Sequence, residues 1–309
     1  MTELMTAEAL TGTGDPRGPR PPVTDHSVRE GAGERARRLG RFLLRSPGLV
    51  LSVALVALVV VAAFFPGVFT SQDPLSGVPR DRLQGPGADH LFGTDQLGRD
   101  LFARVVHGSA LSLQATVVAV AVGLVVGSLI GLLAGYLGGR VDDVLMRAAD
   151  VLLAIPSLLL SLAVVTALGF GTVKVAIAVG IASVASFARV MRSEVLRVRG
   201  AVYVEAARSS GARWFSVLLR HVLPNSAGPV LVYAALDFGA VILQVSALSF
   251  LGYGAVPPAP EWGSLVSGGR DYLATAWWLT TLPGLTIAAT VLAANRISRA
   301  LDGEGRETR

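Results

Sequence analysis

The sequence predicts an all-α fold: a polytopic membrane bundle of six transmembrane helices. Three observations carry this. Hydrophobic residues make up 52% of the 309 and charged residues 16%, where a soluble domain carries about 25% charged. Mean hydropathy is positive, at +0.57. Charge-free stretches recur at lengths that match the roughly 20 apolar residues a helix needs to cross a bilayer.

Those stretches run through 46–72, 105–139 (apart from His107), 151–173, 175–188, 221–236, 238–260 and 272–295. They place helices near 49–66, 111–136, 149–168, 173–191, 229–250 and 274–294. Gly123, Gly127, Gly131 and Gly135, four apart, line one face of the second helix with bare backbone, which lets another helix pack closely. Pro156 and Pro283 fall inside the third and sixth helices. Each lacks an N–H, so each is expected to bend its helix. Asp237 falls mid-way along the fifth, where a charged carboxylate costs about 2.5–3.5 kcal/mol on insertion scales. It must therefore face the bundle or a wet cavity. Two readings stand open: a translocation-pathway residue meeting a substrate's ammonium group, or a protonated or hydrogen-bonded packing residue at an interface.

Arginine placement sets the orientation. With both termini inside, inner segments hold 21 basic residues and outer segments 6, out of 27. Residues 1–45, dense in Gly, Pro, Arg and Thr, are expected to form a disordered cytoplasmic tail. Residues 46–108 are read as the first helix with an extracytoplasmic loop, 109–300 as the transmembrane domain, and 301–309 as a cytoplasmic tail. A cleaved signal peptide is not expected, because more than 40 residues precede the first apolar run. The solvated basic tail is read as a positive-inside anchor, with no nucleic-acid partner. The absence of cysteine excludes disulfides, thiolate metal sites and cysteine nucleophiles.

Between the fourth and fifth helices lies a connection of some 35 residues, long for a helical bundle. It contains Glu205-Ala206-Ala207-Arg208-Ser209-Ser210-Gly211 and then Arg220-His221-Val222-Leu223-Pro224. From Ala206 to Ala212 every residue but Arg208 is small, so another protein's surface can approach the backbone. Glu205 offers a carboxylate, Gly211 tolerates the angles that end a short helix, and Pro224 is expected to stop the region before the next span. This segment, 195–224, resembles the Glu-Ala-Ala loop of ABC importer permeases: Glu-Ala-Ala, three residues, Gly, nine residues, an apolar position, one residue, Leu-Pro. His221 departs from the pattern where an apolar residue is usual, so no anchor is expected there.

The resemblance implies a type I ABC importer permease fold. It also implies that Glu205, Ala206, Ala207, Gly211, Leu223 and Pro224 form a coupling helix and its flank, docked on a separate ATP-hydrolysing subunit. Further stretches resemble the C-type dipeptide/oligopeptide/nickel branch. These are Phe92-Gly93-Thr94-Asp95 with Gly98-Arg99-Asp100, then Gly138-Gly139 with Asp142, Met146-Arg147 and Asp150, and finally Leu248-Ser249-Phe250-Leu251-Gly252 with Trp262-Gly263. Asp95, Arg99 and Asp100 are read as either a substrate site or a salt-bridged structural loop.

No Gly-x-x-x-x-Gly-Lys-Ser/Thr phosphate loop exists, since the only lysine, Lys174, sits between Val173 and Val175. The chain is therefore expected to be no enzyme and to hold no cofactor, ATP and Mg being bound by partner ATPase subunits. The partners implied are a homologous B-type permease, two ATPase subunits, an extracytoplasmic substrate-binding protein and the lipid bilayer of the cytoplasmic membrane. Di- or oligopeptides are the implied cargo, with nickel or another small substrate of the family as the alternative. An ion-driven secondary transporter or a membrane scaffold would leave the 205–224 spacing unexplained.

Overall fold

The computed structural model describes residues 47–307. The expected tail over 1–45 lies outside the described residues. Among them no β-strand forms, only the isolated bridges Gly77–Arg99 and Thr94–Asp100. Five helices are long and apolar enough to cross a membrane, or six if one bent pair counts as a single span.

Helix α1, Pro47–Phe64, opens on a proline, whose missing N–H costs nothing in a first turn. Most of its residues are exposed, so it offers hydrocarbon to its surroundings along nearly its whole length. A looped segment then leads to α2, Leu101–Leu137. The Asp100 carboxylate caps α2, accepting from the Ala103 N–H at 2.7 Å. At 37 residues, α2 is about 55 Å long. It starts ten residues before the expected boundary because the cap, rather than the end of the charge-free window, fixes its first turn. Gly138, with φ +67°, ends it.

The third span departs most from expectation. Rather than one bent helix over 149–168, there are two, α3 at Gly139–Leu153 and α4 at Ser157–Leu168, turned 94° from each other. Pro156 is the extended residue at the head of α4, so it breaks the helix rather than bending it. The residue before a proline is driven out of the helical region, and α3 is amphipathic where α4 is uniformly apolar. Two different surroundings are being matched.

Helix α5, Thr172–Arg199, carries the deepest packing. All four glycines of the α2 stripe face it. A Cβ on Gly127 would come within 2.5 Å of the Val184 carbonyl and the Phe187 Cβ, and one on Gly135 within 2.9 Å of Val195. The close-packing reading of the stripe therefore holds, and Phe187, Ala188 and Met191 are buried against it. The Arg199 guanidinium donates to the Gly135 carbonyl at 2.7 Å, occupying a free acceptor at the α2 C-terminus.

After a short helix α6, Val202–Ser209, the chain enters α7, Trp214–Val217, a π turn over Leu218–Val222 and α8, Leu223–Phe250, without interruption. Pro224 thus does not stop the region, as the sequence suggested. The π turn, closed by Leu223 N–H to the Leu218 carbonyl, widens the ladder just where the proline enters, and the helix continues. The bundle closes with α9, Trp262–Gly269, and α10, Trp278–Glu307. Pro283 lies inside α10, and residues 301–307, expected as tail, continue its helix. Trp262 and Trp278 anchor a core with Leu101, Leu279 and Ile287 at the end that holds the 65–100 and 251–277 loops. The opposite end is rich in arginine.

Candidate functional site

The segment that joins α5 to α8 is built from the inside out. Val204 in α6, Val217 in α7, and Leu218 and Val222 in the π turn are buried against Val195 and Val198 of α5. They hold the segment to the bundle at intervals, and the buried Val222 supplies the apolar anchor that His221 does not. The sequence reading missed these residues. Their signal was the 217, 218, 222 spacing, one helical face wide.

Around that anchor the Glu-Ala-Ala run folds into α6 with its small residues outward. Glu205, Ala206, Gly211 and Pro224 are exposed, and Ala207 and Leu223 are half-buried. Glu205 sits in the first turn, where a carboxylate faces the positive end of the helix dipole. Among the described residues it has no ion-pair partner.

The helix ends in a Schellman motif: Gly211 N–H donates to the Arg208 carbonyl at 3.0 Å, and Ala212 N–H to the Ala207 carbonyl at 3.2 Å. Gly211 takes φ +81° to make this turn, as its expected role requires. The Arg208 guanidinium lies over the Tyr136 ring at 5.2 Å, and the Tyr136 hydroxyl donates to the Trp214 carbonyl at 3.0 Å. The end of α2 is thereby pinned to both sides of the turn. Val202, Tyr203, Trp214 and Phe215 remain exposed beside it. The result is a fixed short helix at the arginine-rich end, with small residues, one free carboxylate and a border of exposed apolar side chains.

Asp237 lies elsewhere, half-buried on α8 and facing α5, with the Ser183 side chain against it and Tyr233 one turn away. Its Oδ2 atom is buried and has no hydrogen-bond partner. The Tyr233 ring in turn meets Phe187 edge-on at 5.0 Å.

Comparison with known proteins matches residues 127–304 to the family described as "Binding-protein-dependent transport system inner membrane component". The chain belongs to this family. It is 38% identical over 289 residues to the dipeptide transport system permease protein DppC of Alkalihalophilus pseudofirmus, covering 94% of this chain and 93% of that one. It is 43% identical over 259 residues to the glutathione transport system permease protein GsiD of Shigella flexneri, covering 83% and 86%. A solved chain of an amino acid ABC transporter with histidines superposes at a TM-score of 0.51 with 15% identity, covering 66% of this chain and 94% of that one. That likeness concerns the fold alone. The protein is a multi-pass membrane permease subunit of an ABC importer, and ATP hydrolysis belongs to other subunits.

In this permease the Asp95 to Asp100 stretch is structural by its geometry. Asp95 accepts from the Leu97 N–H at 2.8 Å, the Arg99 N–H at 3.0 Å and the Arg99 Nε at 2.6 Å. Asp100 caps α2 and meets His90 Nδ1 at 2.9 Å. The Thr94 hydroxyl donates to the Asp81 carbonyl. Arg104 donates to the Pro74 carbonyl at 2.8 Å. Asp95, Arg99, Asp100 and Arg104 are all buried, with Asp95 between the two arginines and Asp100 turned on His90.

Glu261, which the sequence reading passed over, plays the same part in the other loop. It is 1% exposed and accepts from the Ser249 hydroxyl at 2.7 Å and the Ala255 N–H at 2.5 Å. Nothing in a lone glutamate beside Pro260 signalled this. Its partners lie six and twelve residues away, across a turn.

Proposed function

We propose that the surface formed by Glu205, Ala206, Ala207 and Gly211, flanked by Leu223 and Pro224, docks a separate ATP-hydrolysing subunit. Movement of that subunit then reorients the spans as a rigid-body lever. The observation that supports this is α6 itself: a short helix with its small residues outward, rigidly tied to α5 and α2 through Val204, Arg208 and Tyr136. A lever must be stiff, and a loop without buried anchors would absorb the push. On this reading both termini and α6 are cytoplasmic, in keeping with the arginine bias. ATP and Mg are bound by two ATPase subunits rather than by this chain. A homologous B-type permease completes the pore, and an extracytoplasmic binding protein delivers cargo.

The cargo is a short peptide, as the similarity to dipeptide and glutathione permeases suggests. Asp237, whose buried carboxylate oxygen has no partner, is the group to meet the peptide's ammonium once reorientation of the spans uncovers it. Co-purification tests the docking. An ATPase should accompany the unaltered chain and be lost from the Glu205→Lys, Gly211→Val double variant, while the B-type permease still co-elutes. ATPase retained at full stoichiometry would overturn the assignment. Uptake of labelled di- and tripeptides by a deletion strain and its complemented parent tests the cargo.

A further inference from the structure

Near the arginine-rich end, α1 and α10 run side by side. On α1 one face presents Gly48, Leu51, Ser52 and Leu55, and on α10 the facing set is Ala289, Leu292, Ala293 and Arg296. Both follow the spacing of a single helix face. The small residues form a floor, the leucines form rims, and an open groove of about 530 Å³ lies between. Arg299 sits at the same end of the groove as Arg296.

Among the described residues the charge pattern of the groove is one-sided. The Arg296 guanidinium lies directly over Gly48, where any side chain would collide with it. Among the described residues, neither Arg296 nor Arg299 meets a carboxylate. The sequence directly before α1 is basic as well, with Arg35, Arg37, Arg38, Arg41 and Arg45 against Glu34 over 34–46. Beyond the arginines the walls are hydrocarbon, with Leu51 and Leu292 largely exposed. From Ala289 to Arg299 is about 15 Å of helix, half of the roughly 30 Å hydrocarbon core. The groove thus has the depth of one leaflet and a cationic head at the membrane surface.

We propose that this groove binds an anionic phospholipid. Its phosphate rests against Arg296 and Arg299, and one acyl chain lies over Leu51, Leu55 and Leu292. A free phosphate would use the cations and leave the apolar walls bare. A neutral lipid would use the walls and bring no charge to the two arginines. Basic pockets between spanning helices attract anionic headgroups for this reason.

Native mass spectrometry of the full-length chain with its partner subunits tests this, after delipidation and addition of phosphatidylglycerol or phosphatidylcholine with matched acyl chains. Phosphatidylglycerol should be retained about tenfold better than phosphatidylcholine. The Arg296→Gln, Arg299→Gln double variant should erase that preference, and Ala293→Phe, which fills the groove floor, should lower retention with both arginines intact. Equal retention of the two lipids, or a preference unchanged in both variants, would overturn the proposal. So would phosphatidylglycerol binding that appears only after residues 1–40 are removed, which would give the groove to the chain's own segment. If the double arginine variant loses its partners, the lipid comparison and Ala293→Phe decide alone.

Discussion

Arg192 grips Asp142 with two hydrogen bonds, Nε to Oδ1 at 2.5 Å and Nη2 to Oδ2 at 2.6 Å. The pair joins α5 to the first turn of α3, about three turns before the bend at 154–156. The planar fork matches the carboxylate, which makes this the strongest form of ion pair between side chains. Both residues are partly exposed, so solvent screens the attraction.

Breaking this pair with Asp142→Asn should cost about 1 kcal/mol, read as a lower thermal midpoint of the purified complex. Because Asp142 is held below the usual carboxylate range by the Arg192 hydrogen bonds first and its charge second, the pair's contribution is present above the unfolded carboxylate range and fades as pH falls through the folded value. The Asp142→Asn midpoint should converge with the unaltered one in acid. A constant gap down to the lowest pH tolerated would show that the pair is not what stabilises the junction.

The α2 stripe makes a sharper claim. Gly127→Ala places a methyl within 2.5 Å of the Val184 carbonyl and the Phe187 Cβ, neither of which can step aside without moving α5. Overpacking of this kind costs about 1–3 kcal/mol. Gly228 in α8 has nothing within 4 Å of its would-be Cβ, so Gly228→Ala should be neutral or stabilise by about 0.5–1 kcal/mol. Thermal stability of the two variants in detergent separates close packing from mere glycine content.

At Gly211 the constraint is angle rather than space. Its φ is +81°, yet no atom lies within 4 Å of a Cβ built there. Gly211→Ala should cost about 1 kcal/mol from the left-handed conformation, and Gly211→Asn should recover part of it. ATPase activity stimulated by the assembled complex is the readout. If Asn behaves like Ala, something other than the Schellman turn governs the position.

Glu261 tests the buried loop. Glu261→Gln keeps the shape but puts an amide N–H₂ in place of one carboxylate oxygen, so either the Ser249 hydroxyl or the Ala255 N–H loses its acceptor, at a cost of about 1–3 kcal/mol. Limited proteolysis between residues 251 and 261 should speed up, while the 205–211 segment stays resistant. Unchanged cleavage would mean the loop is held by the α9 packing alone.

By itself the sequence determined the class of the molecule, the approximate position of its spans and the segment proposed to dock. These rest on local quantities: runs without charge, a four-residue glycine period and a motif with fixed spacing. Tertiary structure decided which partner each feature found. It showed that the glycine stripe serves α5 and that Pro156 breaks a span outright. It also showed that Pro224 is absorbed by a π turn and that Glu261 is spent on Ser249 and Ala255. Such outcomes depend on atoms brought together from distant parts of the chain, where a proline's missing N–H or a buried carboxylate is compensated by whatever happens to lie opposite. No local pattern encodes that neighbour.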